Sequence, residues 1–220
     1  MAHEVRNPLA GISGALEILR DELPADSPRR EVIREALLLI RRLDERVRDL
    51  LIYARPNIPR PSRISPGDMI ASTLSLLSGE PMLRDVRVHM DVPEGLDDCL
   101  LDPTQIQEVL VNLIRNAADA MKGSGDLYLE ARRSGDRLLL IVEDTGPGVP
   151  AGRLNDIFTP FMTTRPDGTG LGLSISRRNV EAHGGTLVCE TGRQGGARFV
   201  ATLPAPTIPL ELEEPWQNVS

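Results

Sequence analysis

Hydrophobic residues near the start of the chain recur at alternating steps of four and three positions. This spacing is typical of a helix packed in the seam of a bundle, and its members are Val5, Leu9, Ile12, Leu16, Leu19 and Leu23. Ser27 and Pro28 occupy N-cap and first-turn positions, so a second helix is predicted over residues 29–54. The resulting hairpin would keep an uncovered apolar face, which pairing with a second copy in a four-helix bundle would cover.

The pattern changes after a proline-rich stretch that contains Pro56, Pro59 and Pro61. Such a stretch cannot continue a helix and is typical of a semi-rigid linker. Beyond it, alternating and continuous apolar runs predict strands, and amphipathic stretches predict helices. The predicted strands are 86–92, 99–102, 127–132, 138–142, 186–190 and 197–203, and the predicted helices are 66–77, 103–121 and 171–180.

These patterns predict an α+β chain with two folded parts. A helical hairpin occupies residues 1–56, a linker 57–64, and an α/β sandwich 65–204. Residues 205–220 are rich in proline and acidic residues and are predicted to be disordered.

Composition limits the partners. The net charge of −7 argues against nucleic acid, which needs a basic surface. Cys99 and Cys189 are too few for a disulfide framework and fit a reducing cytoplasm. No apolar run reaches the roughly twenty residues of a membrane span. This segment is therefore expected to be soluble and cytoplasmic.

Two glycine clusters carry the first chemical signal. Asp144 ends a predicted buried strand and is followed by Gly146 and Gly148, an arrangement that lets a carboxylate accept a hydrogen bond from a flat amine. A second cluster opens a predicted helix, where backbone N–H groups can approach phosphate oxygens; it contains Gly168, Gly170, Leu171 and Gly172. The second cluster by itself also fits an ordinary turn. Together the two clusters predict a nucleotide pocket with a lid between them.

The first helix carries a candidate acceptor. At about 100° per residue, His3 lies about 200° from Val5 and is expected to point away from the seam. Asn7 falls on nearly the same face, and Glu4 flanks the imidazole. An exposed His beside a Glu is commonly no more than a solvated pair. A neutral imidazole is nevertheless a competent nucleophile near pH 7.

A third polar motif lies on the predicted helix 103–121. Glu108, Asn112 and Asn116 step by four along one ridge. Such amides could simply cap neighbouring backbone groups, and the spacing alone leaves this open.

These motifs resemble, in order, the boxes of sensor histidine kinases of two-component systems. Residues 3–9 (HEVRNPL) are similar to the H box, 112–120 to the N box, 144–148 to the G1 box, 158–161 to the F box and 168–173 to the G2 box. The resemblance implies a dimeric phosphotransfer hairpin followed by a Bergerat-type ATP-binding domain. Thr145 replaces the usual Asn of the G1 box. The H box and the lid are most similar to the nitrogen-regulation type of sensor kinase.

The resemblance also implies roles. His3 would be the phosphoacceptor, Glu4 the base, and Asn7 the residue that orients water for phosphatase activity. Asn116 would be the Mg²⁺ ligand, and Arg165 would face the phosphates, although a solvated lid cation fits that position equally well. The residues assigned to ATP are Asn112, Asn116, Asp144, Gly146, Gly148, Phe158, Arg165, Gly168, Gly170, Leu171 and Gly172.

The function implied is ATP-dependent autophosphorylation of His3, followed by transfer to an aspartate in the receiver domain of a response regulator. A nucleotide-binding scaffold without catalysis and a hydrolysing ATPase of the same superfamily are the alternatives. ATPases of the gyrase and chaperone branches carry Glu at position 112, where this chain has Asn112. An amide cannot act as a general base, which disfavours hydrolysis.

Overall fold

A computed structural model of the chain describes residues 2–24, 27–54, 58–163 and 169–205, with the backbone alone at 2–7, 42 and 45–54. It forms two compact units. One comprises residues 1–56 with 161–172, and the other comprises 57–160 with 173–220. The predicted succession of a helical region and an α/β sandwich is confirmed.

The first unit contains a helical hairpin. Helix α1 spans Ala2–Glu22 and packs along helix α2, Pro28–Ala54. Arg30 Nε donates to the Arg20 carbonyl at 2.9 Å beside the connection between the helices.

The predicted seam is only partly covered within one chain. Leu9, Leu16 and Leu23 are half-buried and Leu37 is buried, because the two helices face each other along this stripe. Other apolar side chains of both helices stay about half exposed or more, and they are Ile12, Ile18, Leu19, Val32, Leu38, Leu39 and Leu43.

The second unit is a layer of helices on a five-stranded sheet. The sheet order is β2-β4-β5-β7-β6, with β2 parallel to β4 and all other neighbours antiparallel. Its strands are β2 (Asp85–Asp91), β4 (Ser124–Ser134), β5 (Arg137–Asp144), β6 (Thr186–Thr191) and β7 (Ala197–Pro204), and its helices are α3 (Pro66–Leu77), α4 (Pro103–Ala120) and α5 (Gly172–Ala182). The sequence pattern does not predict three short 3₁₀ segments, Pro81–Leu83, Ala151–Arg153 and Asp156–Phe158.

Strand alternation divides the sheet into two faces. Leu127 and Leu129 of β4 and Leu140 of β5 point into the core against the helices. The opposite face, here called the outer face, carries Glu130 on β4 and Glu143 on β5, as the period of two requires.

The end of the predicted linker forms a short strand rather than an irregular connection. Ser62–Ile64 forms a short strand, β1, which pairs antiparallel with β3, Cys99–Leu101. Proline at position 61 is compatible with this pairing because it directly precedes the strand. The Arg63 guanidinium also contacts the Asp98 carboxylate at 2.8 Å.

Asp102 joins β3 to α4. Its carboxylate accepts from the Thr104 and Gln105 N–H groups as an N-cap, and also from the Arg60 N–H at 2.8 Å. Burial disfavours its charge, yet these N–H donors hold the pKa of Asp102 below its usual range. Its own N–H donates to His183 Nε2 at 3.0 Å, which fixes the start of α4 against the end of α5.

None of the described helices is both long and apolar enough to cross a membrane.

Candidate nucleotide-binding site

Asp144 ends β5 in an almost closed environment, with 2% of its surface exposed. Its Oδ1 accepts from the Gly146 N–H at 2.8 Å and the Ala197 N–H at 3.3 Å. Within the described residues, no hydrogen bond reaches its second oxygen, Oδ2. Burial raises the pKa of Asp144, which outweighs the two N–H donors. The carboxylate is thus fixed by one oxygen and can accept from a ligand with the other.

The backbone around Asp144 is packed too closely for side chains. Gly148 has φ +71°, and a Cβ there would lie 2.5 Å from the Gly195 carbonyl oxygen. A Cβ on Gly196 would overlap the carbonyl oxygen of Asp144 itself. The turn between β6 and β7 therefore packs directly against the turn that follows Asp144.

Replacing Gly196 by Ala should consequently destabilise the second unit by about 3 kcal/mol or more, because neighbouring backbone would have to move. Urea unfolding measures this change. Gly152→Ala is the matched control: a Cβ on Gly152 would have no atom within 4 Å, so a change within about 0.5 kcal/mol is expected. Equal stability of the two variants would contradict the close packing at Asp144.

Thr145, the departure from the G1 pattern, holds the turn to the rest of the domain. Its Oγ1 accepts from the Asp126 N–H at 3.0 Å and lies 3.5 Å from Met121 Sδ. Gly125 makes room for this contact, since a Cβ there would lie 2.8 Å from Thr145 Oγ1. The hydroxyl therefore links the site to the start of β4 and the end of α4.

The polar ridge of α4 faces α5. Glu108 Oε2 accepts from Asn179 Nδ2 at 2.9 Å, and Asn112 Nδ2 donates to Ser176 Oγ at 3.4 Å. Asn179 and Ser176 are buried. Asn116 lies one turn further along the same ridge and is half-buried. The first two members of the ridge thus position α5, and Asn116 continues the row.

Phe158 lies in the hydrophobic core, with 6% of its surface exposed. Its ring packs edge-to-face on Phe199 at 6.4 Å, and the Arg177 guanidinium lies 5.2 Å from its centroid. These contacts anchor the first part of the predicted lid. A role of Phe158 at the nucleotide stays a prediction.

The second glycine cluster is described in part, within the first unit. The Phe161 N–H donates to the Gly170 carbonyl at 3.0 Å, and a Cβ on Gly170 would lie 2.5 Å from the Phe161 carbonyl carbon. Leu171 is buried, and Gly172 begins α5. Arg165 and Gly168 lie outside the described residues.

Among the predicted site residues, the structure brings Asp144, Gly146 and Gly148 around one turn. His3, Glu4 and Asn7 lie on α1, where the backbone alone is described. The sequence predictions do not include Gly196 and the Ala197 N–H at Asp144. The glycine pair 195–196 is the only signal for them, and by itself it predicts no more than a hairpin turn.

Two family models match the chain. The model described as "His Kinase A (phospho-acceptor) domain" matches residues 1–57, and that described as "Histidine kinase-, DNA gyrase B-, and HSP90-like ATPase" matches residues 101–207.

Curated relatives agree with these matches. The sensor histidine kinase ZraS of Salmonella typhimurium is 34% identical over 205 residues, covering 93% of this chain and 44% of that protein. The sensor protein kinase PilS of Pseudomonas aeruginosa is 30% identical over 211 residues, covering 94% and 40%. The chain spans less than half the length of these relatives.

Solved structures with the same fold include full-length ShkA in complex with AMPPNP, with a TM-score of 0.81 and 27% identity over 94% of this chain and 45% of that one. Histidine kinase ThkA in complex with the response regulator protein TrrA has a TM-score of 0.71 and 25% identity, covering 93% and 59%. Fold and site thus define a two-part nucleotide-binding core of the histidine kinase class. The chain belongs to the sensor histidine kinases and holds their catalytic core. These relatives do not confirm the resemblance to the nitrogen-regulation type.

Proposed function

We propose that the chain transfers the γ-phosphoryl group of ATP to His3 and then to an aspartate of a response-regulator receiver domain. It would work as a homodimer in the cytoplasm, and Asn7 would orient water when the same core dephosphorylates the regulator. ThkA was solved with a response regulator and ShkA with AMPPNP, and both resemblances support the proposal.

The observation that carries the proposal is the state of Asp144. Two backbone N–H groups fix Oδ1, and Oδ2 has no hydrogen-bond partner within the described residues. An exocyclic adenine amine is a donor that this oxygen would accept, and burial strengthens such a bond. Gly146 and Gly148 let the turn pack closely against Ala120 and the Gly195 carbonyl, which holds it in place beside Oδ2.

The phosphates would extend toward Asn116 of α4. Asn116 offers an amide oxygen, which is a hard ligand suited to Mg²⁺. No group of three or more acidic, His or Cys side chains that could form a metal site occurs in the described part of the chain. This fits an ion held mainly by phosphates and waters, with Asn116 as the protein ligand. When bound, Mg²⁺ would neutralise charge on the β- and γ-phosphates.

His3 would act through a neutral imidazole. One ring nitrogen forms the bond to the γ-phosphorus as the bond to the bridging oxygen of ADP breaks, and ADP leaves. Glu4 stabilises the ring cation and accepts its proton from the other nitrogen. The chain's contribution is therefore positioning and charge stabilisation, as in phosphoryl transfer generally.

Dimerisation is supported by the helical hairpin. Its exposed apolar residues, which include Ile12, Leu19, Val32 and Leu39, lie on both helices. Packing against the same face of a second hairpin would remove this surface from water.

Hydrolysis is less well supported by the same site. ATPases of the gyrase and chaperone branches use a glutamate to activate water, and the ridge of α4 carries one carboxylate, Glu108. That carboxylate is bonded to the buried Asn179. At position 112 the chain has an amide, which donates to Ser176.

Incubation with γ-labelled ATP and Mg²⁺ tests the proposal. Stable incorporation of label that is acid-labile and alkali-stable is expected, because a phosphohistidine has that lability. Steady release of phosphate without labelled protein would instead indicate a hydrolysing ATPase. Nucleotide binding with neither label nor release would indicate a non-catalytic scaffold.

A further inference from the structure

Two carboxylates are buried on the outer face of the sheet. Glu130 of β4 and Glu143 of β5 each have 3% of their surface exposed. Burying a charged group is costly unless it is paired and hydrogen-bonded. The Oε2 atoms of both residues have arginine nitrogens within 3.4 Å, but neither atom accepts a well-aligned hydrogen bond within the described structure. The burial of these two carboxylates is therefore compensated mainly by the hydrogen-bond donors that bind their Oε1 atoms.

Arg193 supplies those donors to both carboxylates. Its backbone N–H donates to Glu143 Oε1 at 2.6 Å, and its guanidinium donates to Glu130 Oε1. Its Nε also lies 3.4 Å from Glu143 Oε2. Next to it, Gln194 Nε2 donates to the Tyr128 hydroxyl at 3.0 Å. The turn between β6 and β7 is thereby fastened to the outer face of the sheet.

The same turn supports Asp144. It is closed by hydrogen bonds from the Gly192 N–H to the Gly196 carbonyl at 2.7 Å and from the Gly195 N–H to the Gly192 carbonyl at 3.0 Å. At its end, the Ala197 N–H donates to Asp144 Oδ1. Any shift of the turn would therefore change the orientation of the Asp144 carboxylate.

We propose that Arg193 is a positioning residue for base recognition, which holds the β6–β7 turn so that Asp144 Oδ2 is oriented toward the exocyclic amine of the nucleotide. This inference rests on the proposed function, in which Asp144 binds that amine. Arg193 itself is 59% exposed on its side chain. Its guanidinium holds the turn from the outer face of the sheet through Glu130 of β4, while its backbone N–H donates to Glu143, the neighbour of Asp144 in β5.

Arg132 provides a matched control. Its Nε lies 3.0 Å from Glu130 Oε2 and its Nη2 donates to Asp91 at 2.8 Å. Like Arg193 it is a half-exposed arginine that pairs with the buried Glu130. None of its described contacts reaches the β6–β7 turn. Removing it perturbs the same carboxylate without releasing the turn.

The experiment compares the affinities of two nucleotides for Arg193→Met, Arg132→Met and the parent protein. The nucleotides are ATP and purine riboside triphosphate, which lacks the 6-amino group, and binding is measured by calorimetry. In Arg193→Met, ATP should bind about two- to twelvefold more weakly, the range of one ordinary hydrogen bond. The affinity for the analogue should change little. The preference for ATP, which is the ratio of the two affinities, should therefore fall by the same factor. Arg132→Met should keep the parent preference, and Arg193→Lys should restore part of it.

A change in stability alone would not move this preference. Equal weakening of both nucleotides in Arg193→Met, or an unchanged preference, would overturn the proposal. Should Arg193→Met fail to fold, Arg193→Met combined with Glu130→Gln removes one buried charge and gives the same readout.

Asp144→Asn separates the role of Arg193 from the base site on which it depends. If it leaves the preference for ATP intact, the proposed base site is wrong; if it abolishes the preference and Arg193→Met does not alter it, only the role of Arg193 is wrong.

Discussion

Replacing His3 by Gln should remove all protein-bound label from γ-labelled ATP while leaving nucleotide affinity within about twofold. A glutamine amide keeps hydrogen-bonding capacity but has no nucleophilic nitrogen, so no phosphoryl bond can form there. The residues proposed to bind the base lie in the other unit of the chain, which the substitution leaves unchanged. Filter-bound label and calorimetric binding measure the two effects separately.

The chain offers a control for this experiment, because it contains only three histidines. His89 is half-exposed, stacks on Tyr128 at 4.7 Å and contacts Asp126 at 2.8 Å on the outer face of the sheet. His89→Gln should therefore retain the label. His183 is a poorer control because it accepts from the N–H of Asp102 and supports the fold. Label that persists in His3→Gln would show that another residue is the acceptor.

Most of the regular structure could be predicted from periodicity. The three- and four-residue spacing indicated α1 and α2, and the runs around Leu129 and Leu140 indicated the central strands, because these elements bury one stripe or one face. Strand β1 could not be predicted in this way. Its three residues are proline-flanked, and their pairing with β3 brings together positions that are distant in the chain.

The positions of site residues could be predicted from the sequence where neighbouring residues alone determine them. Asp144 follows a buried strand and precedes two glycines, so its position at the end of β5 could be inferred from a few residues. Its role in binding the base stays a prediction. The hydrogen bond from the Ala197 N–H to Asp144 and the need for glycine at position 196 both arise because β7 lies beside β5. No local sequence pattern encodes that pairing. Asn112 illustrates the same limit, since its partner Ser176 lies on a different helix.

The burial of charges on the outer face could not be predicted for a related reason. An alternating strand predicts that Glu130 and Glu143 point away from the core, and such residues are ordinarily solvated. Arg193 covers them from a turn some fifty residues later in the chain than Glu143. Their burial is therefore a property of the tertiary structure.

Replacing Asp144 by Asn should weaken ATP binding by about 10- to 150-fold, the equivalent of the roughly 1.5–3 kcal/mol contributed by a hydrogen bond to a charged group. The amide oxygen is expected to take the place of Oδ1, because the Gly146 and Ala197 N–H groups both donate there. The amide NH₂ then replaces Oδ2 and faces the 6-amino group of adenine. Both groups are hydrogen-bond donors, so no hydrogen bond forms between them. GTP, which has a carbonyl at the corresponding position, should lose less or gain affinity. Calorimetry with both nucleotides measures the shift, and parallel losses of ATP and GTP would contradict this orientation.

The same substitution should stabilise the protein at neutral pH. Burial raises the pKa of Asp144 above the unfolded value of 3.8, so the folded state favours the protonated form. The parent therefore loses stability as the pH rises from 3.8 through the raised pKa, because ionisation is then easier in the unfolded chain. Asparagine carries no charge, so the variant should unfold at higher urea than the parent at pH 7, and the difference should shrink as the pH falls from the raised pKa to 3.8. Weaker ATP binding together with higher stability would identify the buried charge as a feature kept for ligand recognition at a cost to the fold. A variant that is less stable than the parent at pH 7 would instead show that the charge itself stabilises the turn through its two N–H donors.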